Sequence, residues 1–104
     1  MAQVAQFASF IAKPGLGGKV VAALEDASLA AAEEPGTLVY AIHVAPDDAD
    51  TVWMYELYAS AEAQAAHSGS AATTRLRAAV ADLLEEPLTV SKGILHKALG
   101  LSAS

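Results

Sequence analysis

The stretch Thr51-Val52-Trp53-Met54-Tyr55-Glu56-Leu57-Tyr58 constrains this chain more than any other. Its β-branched and aromatic residues mark a strand, and successive side chains of a strand face opposite ways. Met54, Glu56 and Tyr58 then share one face, and Trp53, Tyr55 and Leu57 share the other. The stretch Thr37 to Ala45 behaves alike, with Leu38, Tyr40, Ile42 and Val44 opposing Val39, Ala41 and His43. A sheet with one wet face alternates apolar and polar residues; these strands do not, so both faces of the sheet need cover. Helices supply one cover. A second copy of the chain is the expected other, because most oligomers are symmetric and monomers rarely expose apolar patches of that size.

The rest of the composition narrows the class. A chain of 104 residues has room for one core, so residues 1–104 form a single domain. Hydrophobic residues make up 54% and charged residues 17%, the opposite of a disordered balance. Alanine accounts for 25 positions, and alanine thickens helix faces at no cost in propensity. Twelve acidic against six basic residues give a net charge of −6. That excludes the basic footprint nucleic acid requires and disfavours an anionic membrane surface. With no cysteine there is no disulfide framework, thiolate metal site or cysteine nucleophile. The N-terminal residues carry no basic segment followed by an apolar core, and no run approaches the ~20 residues of a membrane span. A cytoplasmic protein is expected.

Turn signals place the remaining elements. Gln3 to Ala12 reads as a strand closed by Lys13-Pro14-Gly15, and a helix follows from Gly17-Gly18 to about Ala32 with Val20, Leu24, Ala27 and Ala31 on one stripe. Glu33-Glu34-Pro35-Gly36 ends it, since proline cannot continue a helix. Pro46 to Asp50 reads as a polar loop of an antiparallel hairpin whose second strand is Thr51 to Tyr58. Ser60 is a candidate N-cap with Glu62 in the first turn, Ser68-Gly69-Ser70 kinks or splits the helix, and Ala72, Leu76, Val80 and Leu83 continue it. Leu88 to Leu99 reads as the last strand, with Gly93 a bulge or close approach, and Ser102-Ala103-Ser104 as a mobile tail. The order β-α-β-β-α-β is the ferredoxin-like, α+β arrangement: a four-stranded antiparallel sheet covered on one face by two helices.

Phe7-Ala8 with Pro14-Gly15, Glu34-Pro35-Gly36-Thr37-Leu38 with Tyr40, and Tyr55-Glu56-Leu57-Tyr58-Ala59-Ser60 with Glu62-Ala63 and His67 stand in an order and spacing that resembles the antibiotic biosynthesis monooxygenase domain family, within the dimeric α/β-barrel superfamily. The resemblance covers about Gln3 to Gly100. It implies a ferredoxin-like protomer whose sheet pairs face to face with a second copy. Its members include cofactor-independent monooxygenases of quinols and polyphenolic aromatics, haem-cleaving proteins and proteins with no assigned activity, and fold does not choose among them.

Glu56 is the most informative polar residue, because a mid-strand carboxylate is costly to bury unless paired. His67, about one and a half turns into the next helix, is its expected partner, and the resemblance implies the same pair. Glu56 either orients the imidazole as a general base or staples strand to helix. Tyr58 and Met54 share the Glu56 face and are candidates to hold an aromatic substrate. His43 joins them if the hairpin register keeps it beside Met54 and Glu56; a slip of one residue puts Tyr40 there instead. Trp53 faces the other way, where it is a further candidate to hold substrate or else serves barrel or dimer packing, and His96 reads as a surface or interface residue. Arg75 is a candidate to meet a phenolate or other anion. In haem-cleaving relatives the proximal histidine lies later in the second helix, where this chain reads Thr73-Thr74-Arg75-Leu76-Arg77. His43, His67 and His96 have no local metal-ligand spacing, and Gly15, Gly17 and Gly18 make no dinucleotide-binding fingerprint. No metal and no cofactor are expected. The expected activity is a cofactor-free oxidation of a quinol or polyphenol by O₂, with a non-catalytic dimeric small-molecule-binding or stabilising module as the alternative.

Overall fold

Proline- and glycine-marked turns and one serine-capped break divide the chain into seven elements. A computed structural model describes residues 2–101, so the expected mobile tail Ser102-Ala103-Ser104 lies outside the described residues. The elements are β1 (Val4–Ile11), α1 (Gly17–Ala31), β2 (Thr37–Ala45), β3 (Asp48–Tyr58), α2 (Ala61–Ser68), α3 (Ala71–Ala81) and β4 (Thr89–Ile94). The sheet order is β2-β3-β1-β4 and every pairing is antiparallel. This is the expected ferredoxin-like α+β fold, with the second helix split in two. Ser60 caps α2 by accepting from Ala63 N at 3.1 Å, and Ser70 caps α3 by accepting from Thr73 N at 3.2 Å. The second cap ends one helix and starts another within three residues.

The core lies between helices and sheet. Ala8, Phe10, Val52 and Met54 point from the sheet to Val20 and Leu24 of α1 and Val80 of α3. On the opposite face, Phe7 and Trp53 remain 51% and 45% exposed, and the Phe7 and Tyr55 rings meet at 5.5 Å between centroids. Among the described residues no helix is long and apolar enough to cross a membrane.

Three local expectations change. Pro46 to Asp50 is not a loop: only Pro46-Asp47 form the turn, and Asp48 already pairs with Ala45. The acidic residues are used within the hairpin end. The Asp48 carboxylate accepts from Asp50 N and the Thr51 hydroxyl, and the Asp50 carboxylate accepts from Gly15 N and Gly17 N at 3.0 and 2.9 Å. Asp50 thus caps α1 from across the molecule, and a Cβ at Gly17 would sit 1.9 Å from Ala49 O. The last strand ends at Ile94 rather than Leu99, because its partner β1 begins at Val4, opposite Ile94. Gly93 is neither a bulge nor a close approach: its register is unbroken, and a Cβ there would meet nothing within 4 Å.

Candidate functional site

Strand register decides which side chains meet. Tyr40 pairs with Glu56 and Ile42 with Met54, so Tyr40, Met54 and Glu56 face the helices together. A register shift between Thr37 and Val39 carries the strand past Leu38 and sets this phase. His43 pairs with Trp53 and stands on the outer face, lining a shallow hollow with Phe7, Tyr55 and Ser91. The expectation that His43 joins Glu56 is therefore corrected, and Tyr40 takes the place. Trp53 faces outward, as its parity implies, and is also absent from the cluster.

Glu56 is buried, at 4% exposure, and is held by neutral donors. The Tyr58 hydroxyl donates to its Oε1, and Gln6 Nε2 donates to the same atom at 3.3 Å. Gln6 Oε1 in turn accepts from Gln64 Nε2 of α2 at 2.9 Å, tying sheet to helix. These contacts answer the cost of burying a carboxylate. Burial, followed by the Glu56 hydrogen bond and charge, pushes the Tyr58 phenol far above its ordinary value. Burial, followed by the charges of Glu56 and Glu34, does the same to Tyr40. Both remain neutral donors.

His67 is 8% exposed and sits between two carboxylates. Its Nδ1 lies 2.7 Å from Glu34 Oε1, and its Nε2 lies 3.6 Å from Glu56 Oε1. The expected Glu56–His67 neighbourhood exists, but the orienting hydrogen bond comes from Glu34. The chain folds that way through Gly36. A Cβ at Gly36 would stand 2.5 Å from the Ala63 Cβ, so the Pro35-Gly36 turn presses directly on α2. Ala63 and His67 are one helical turn apart on the same face, and Glu34, two residues before the glycine, reaches the ring. Thr37 Oγ1 donates to Glu34 Oε1 at 2.8 Å and fixes the carboxylate. Thr73 of α3 donates its hydroxyl to His67 O at 2.8 Å, and the Tyr58 and Tyr40 rings lie 5.2 and 5.6 Å from the imidazole.

Tyr40, Met54, Glu56, His67, Thr73 and Arg77 line one cavity with apolar walls from Phe10, Leu24, Val80 and Leu88. Its volume is about 40 Å³, room for one or two waters. A wider groove of about 600 Å³ adjoins it across Arg77, Val80 and Leu88. Arg75 is not at this cavity: it lies toward α1, beside Asp26 and Ala27, and the arginine in the cavity lining is Arg77. Among the described residues no three His, Asp or Glu side chains gather as a metal site. Sequence reasoning missed Glu34, Gln6, Gln64, Thr73 and Arg77. Only Glu34 carried a local signal, an acid at a proline-glycine turn, and there it reads as a helix stop.

Residues 3–85 match the family model for antibiotic biosynthesis monooxygenase. Rv0793 from Mycobacterium tuberculosis is 27% identical, covering 98% of this chain and 99% of its own, with a TM-score of 0.81. A Nitrosomonas europaea protein of unknown function is also 27% identical, covering 100% and 98%, with a TM-score of 0.85. A Caulobacter crescentus protein that bears the family's name is 21% identical, covers 92% of both chains and has a TM-score of 0.86, a likeness that shows the fold alone. No curated protein matches the sequence.

Proposed function

Since this chain belongs to the antibiotic biosynthesis monooxygenase family, we propose that it oxidises a quinol or polyphenolic aromatic with O₂, without metal or organic cofactor, as a cytoplasmic homodimer. The observation that carries the reading is His67, buried between two carboxylates with Nε2 toward a cavity whose walls include Phe10, Leu24, Met54, Val80 and Leu88. The imidazole accepts the proton of a substrate phenol, and the imidazolium formed is flanked by Glu34 and Glu56. The phenolate is electron-rich enough to reduce O₂ directly. One oxygen atom ends on the ring carbon and the other leaves as water, so that a phenol and O₂ become a quinone and water with no external reductant. Tyr40, held neutral, lines the cavity and offers a hydrogen bond to the developing oxyanion, while Tyr58 is committed to Glu56 and lies outside the lining; the apolar walls keep water from the intermediates. Ligand pockets usually span about 300–1,000 Å³, so an aromatic ring enters from the groove by displacing Leu88 and Arg77, two of the three residues common to both spaces. The second copy covers the exposed Phe7 and Trp53 face.

The small volume of the cavity favours a second reading, a non-catalytic module in which Glu56 and His67 staple strand to helix. One experiment separates the two: O₂ uptake by metal-free protein over a panel of quinols, with His67→Ala in parallel. Catalysis predicts turnover above buffer that falls about 10²–10⁴-fold in the variant. No enhancement with any quinol, together with a loss of about 3–5 kcal/mol of stability in His67→Ala, supports the structural module.

A further inference from the structure

We infer that Glu34, which lines no part of the cavity, sets the tautomer of His67 and thereby makes the nitrogen that faces the cavity a proton acceptor. An ionised carboxylate only accepts hydrogen bonds. At 2.7 Å from Glu34 Oε1, His67 Nδ1 must therefore carry the proton. A neutral ring protonated at Nδ1 keeps its lone pair at Nε2. That atom points inward, 3.5 Å from Thr73 Oγ1 and 3.6 Å from Glu56 Oε1. Neither neighbour satisfies it: the Thr73 hydroxyl donates to His67 O, and Glu56 has only acceptor oxygens.

The arrangement is opposed from within. A lone pair facing the Glu56 carboxylate is electrostatically unfavourable, and a proton on Nε2 would relieve it. Glu34 and Glu56 thus compete for the single proton of one neutral imidazole. Glu34 prevails on geometry, with a short hydrogen bond against a separation beyond hydrogen-bond reach. Tyr58 and Gln6 donate to the Glu56 oxygen that faces the ring and hold it at that separation. Thr37 strengthens Glu34 by holding its Oε1 in place. Glu34 is a positioning residue: it touches the base and not the substrate.

The catalytic consequence rests on the function proposed above, but the tautomer does not. In the proton transfer the substrate O–H bond breaks and an Nε2–H bond forms. Nδ1 retains its proton throughout, and the resulting positive charge lies between two carboxylates. With the other tautomer Nε2 already carries hydrogen and the transfer cannot begin.

Nitrogen NMR on the full chain decides the point. With His43→Gln and His96→Gln, His67 is the single histidine left, and its two ring nitrogens are read at alkaline pH where imidazole is neutral. The expected spectrum shows a pyrrole-type Nδ1 and a pyridine-type Nε2. Glu34→Ala is expected to reverse that pattern, and Thr37→Val to shift it part of the way. A pyridine-type Nδ1 in the unsubstituted cluster overturns the inference, as does an unchanged pattern in Glu34→Ala. If Glu34→Ala does not fold, the starting spectrum and Thr37→Val still decide. Where a quinol is turned over, Glu34→Ala lowers kcat/KM by about 10²-fold or more, in step with the spectral change. Absence of turnover counts against the proposed oxidation alone, since the spectra are recorded without substrate.

Discussion

The Tyr58 hydroxyl donates to Glu56 Oε1, the carboxylate two residues back on the same face of β3. The contact is local in sequence and central in the molecule, because it lets a buried carboxylate exist beside His67. Tyr58→Phe removes a hydrogen bond to a charged group and leaves that Oε1 with Gln6 as its donor. The expected cost is about 1.5–3 kcal/mol, read by urea denaturation. Tyr40→Phe, whose hydroxyl makes no hydrogen bond among the described residues, is expected to cost under about 1 kcal/mol. Equal costs for the two would contradict the assignment.

Alkaline pH provides a second check. Burial first, then the neighbouring carboxylates, raise Tyr58 and Tyr40 above the ordinary phenol value of 10.0. Each phenol therefore ionises more readily in the unfolded chain. The stability this contributes is fully present below pH 10.0 and drains away as pH rises past it. In a Tyr55→Phe background, phenolate absorbance should stay silent above pH 10.0 until the chain unfolds. Phenolate signal from a chain with native circular dichroism would refute this.

Asp50 anchors α1 from β3, and this anchor predicts a pair of unequal effects. Asp50→Ala leaves Gly15 N and Gly17 N without their acceptor, at an expected cost of about 1–2 kcal/mol. Gly17→Ala drives a methyl group into Ala49 O and is expected to cost more, about 3 kcal/mol or above. Thermal unfolding of the two variants ranks them, and the reverse order would show that the carboxylate, not the close approach, holds the hairpin to the helix. Asp48 adds a pH signature: the Asp50 backbone N–H, then the Thr51 hydroxyl, hold its carboxyl below 3.8. That contribution is present above pH 3.8 and is lost as pH falls through the lowered value.

Trp53 reports on the outer face. It is the single tryptophan and is 45% exposed on the protomer. A dimer formed through that face shields it, so the wild-type protein is expected to elute as a dimer with poorly quenched fluorescence. Trp53→Asp is expected to elute as a monomer with native circular dichroism, because the residue does not enter the helix-side core. A wild-type monomer with freely quenched tryptophan would remove the dimer.

Much of this architecture is legible in the chain because its causes are local. Pro35-Gly36, Pro87 and the Ser60 cap act within a few residues, and the two-faced strands announce themselves by composition. What tertiary structure decided was phase and proximity. Whether Tyr40 or His43 stands beside Glu56 depends on the register shift at Thr37 and Val39, since one residue reverses every face. Whether Arg75 or Arg77 reaches the cavity depends on the rotation of α3. Residues two apart on a helix point to nearly opposite sides, and the burial of Thr73 and Val80 sets that rotation. The bond from Glu34 to His67 spans 33 residues and exists because a glycine lets a turn press on a helix. Glu56 and His67 were visible as candidates from residue type and place in the sequence. Which carboxylate holds the imidazole was not, because that depends on a distance between segments that only packing determines.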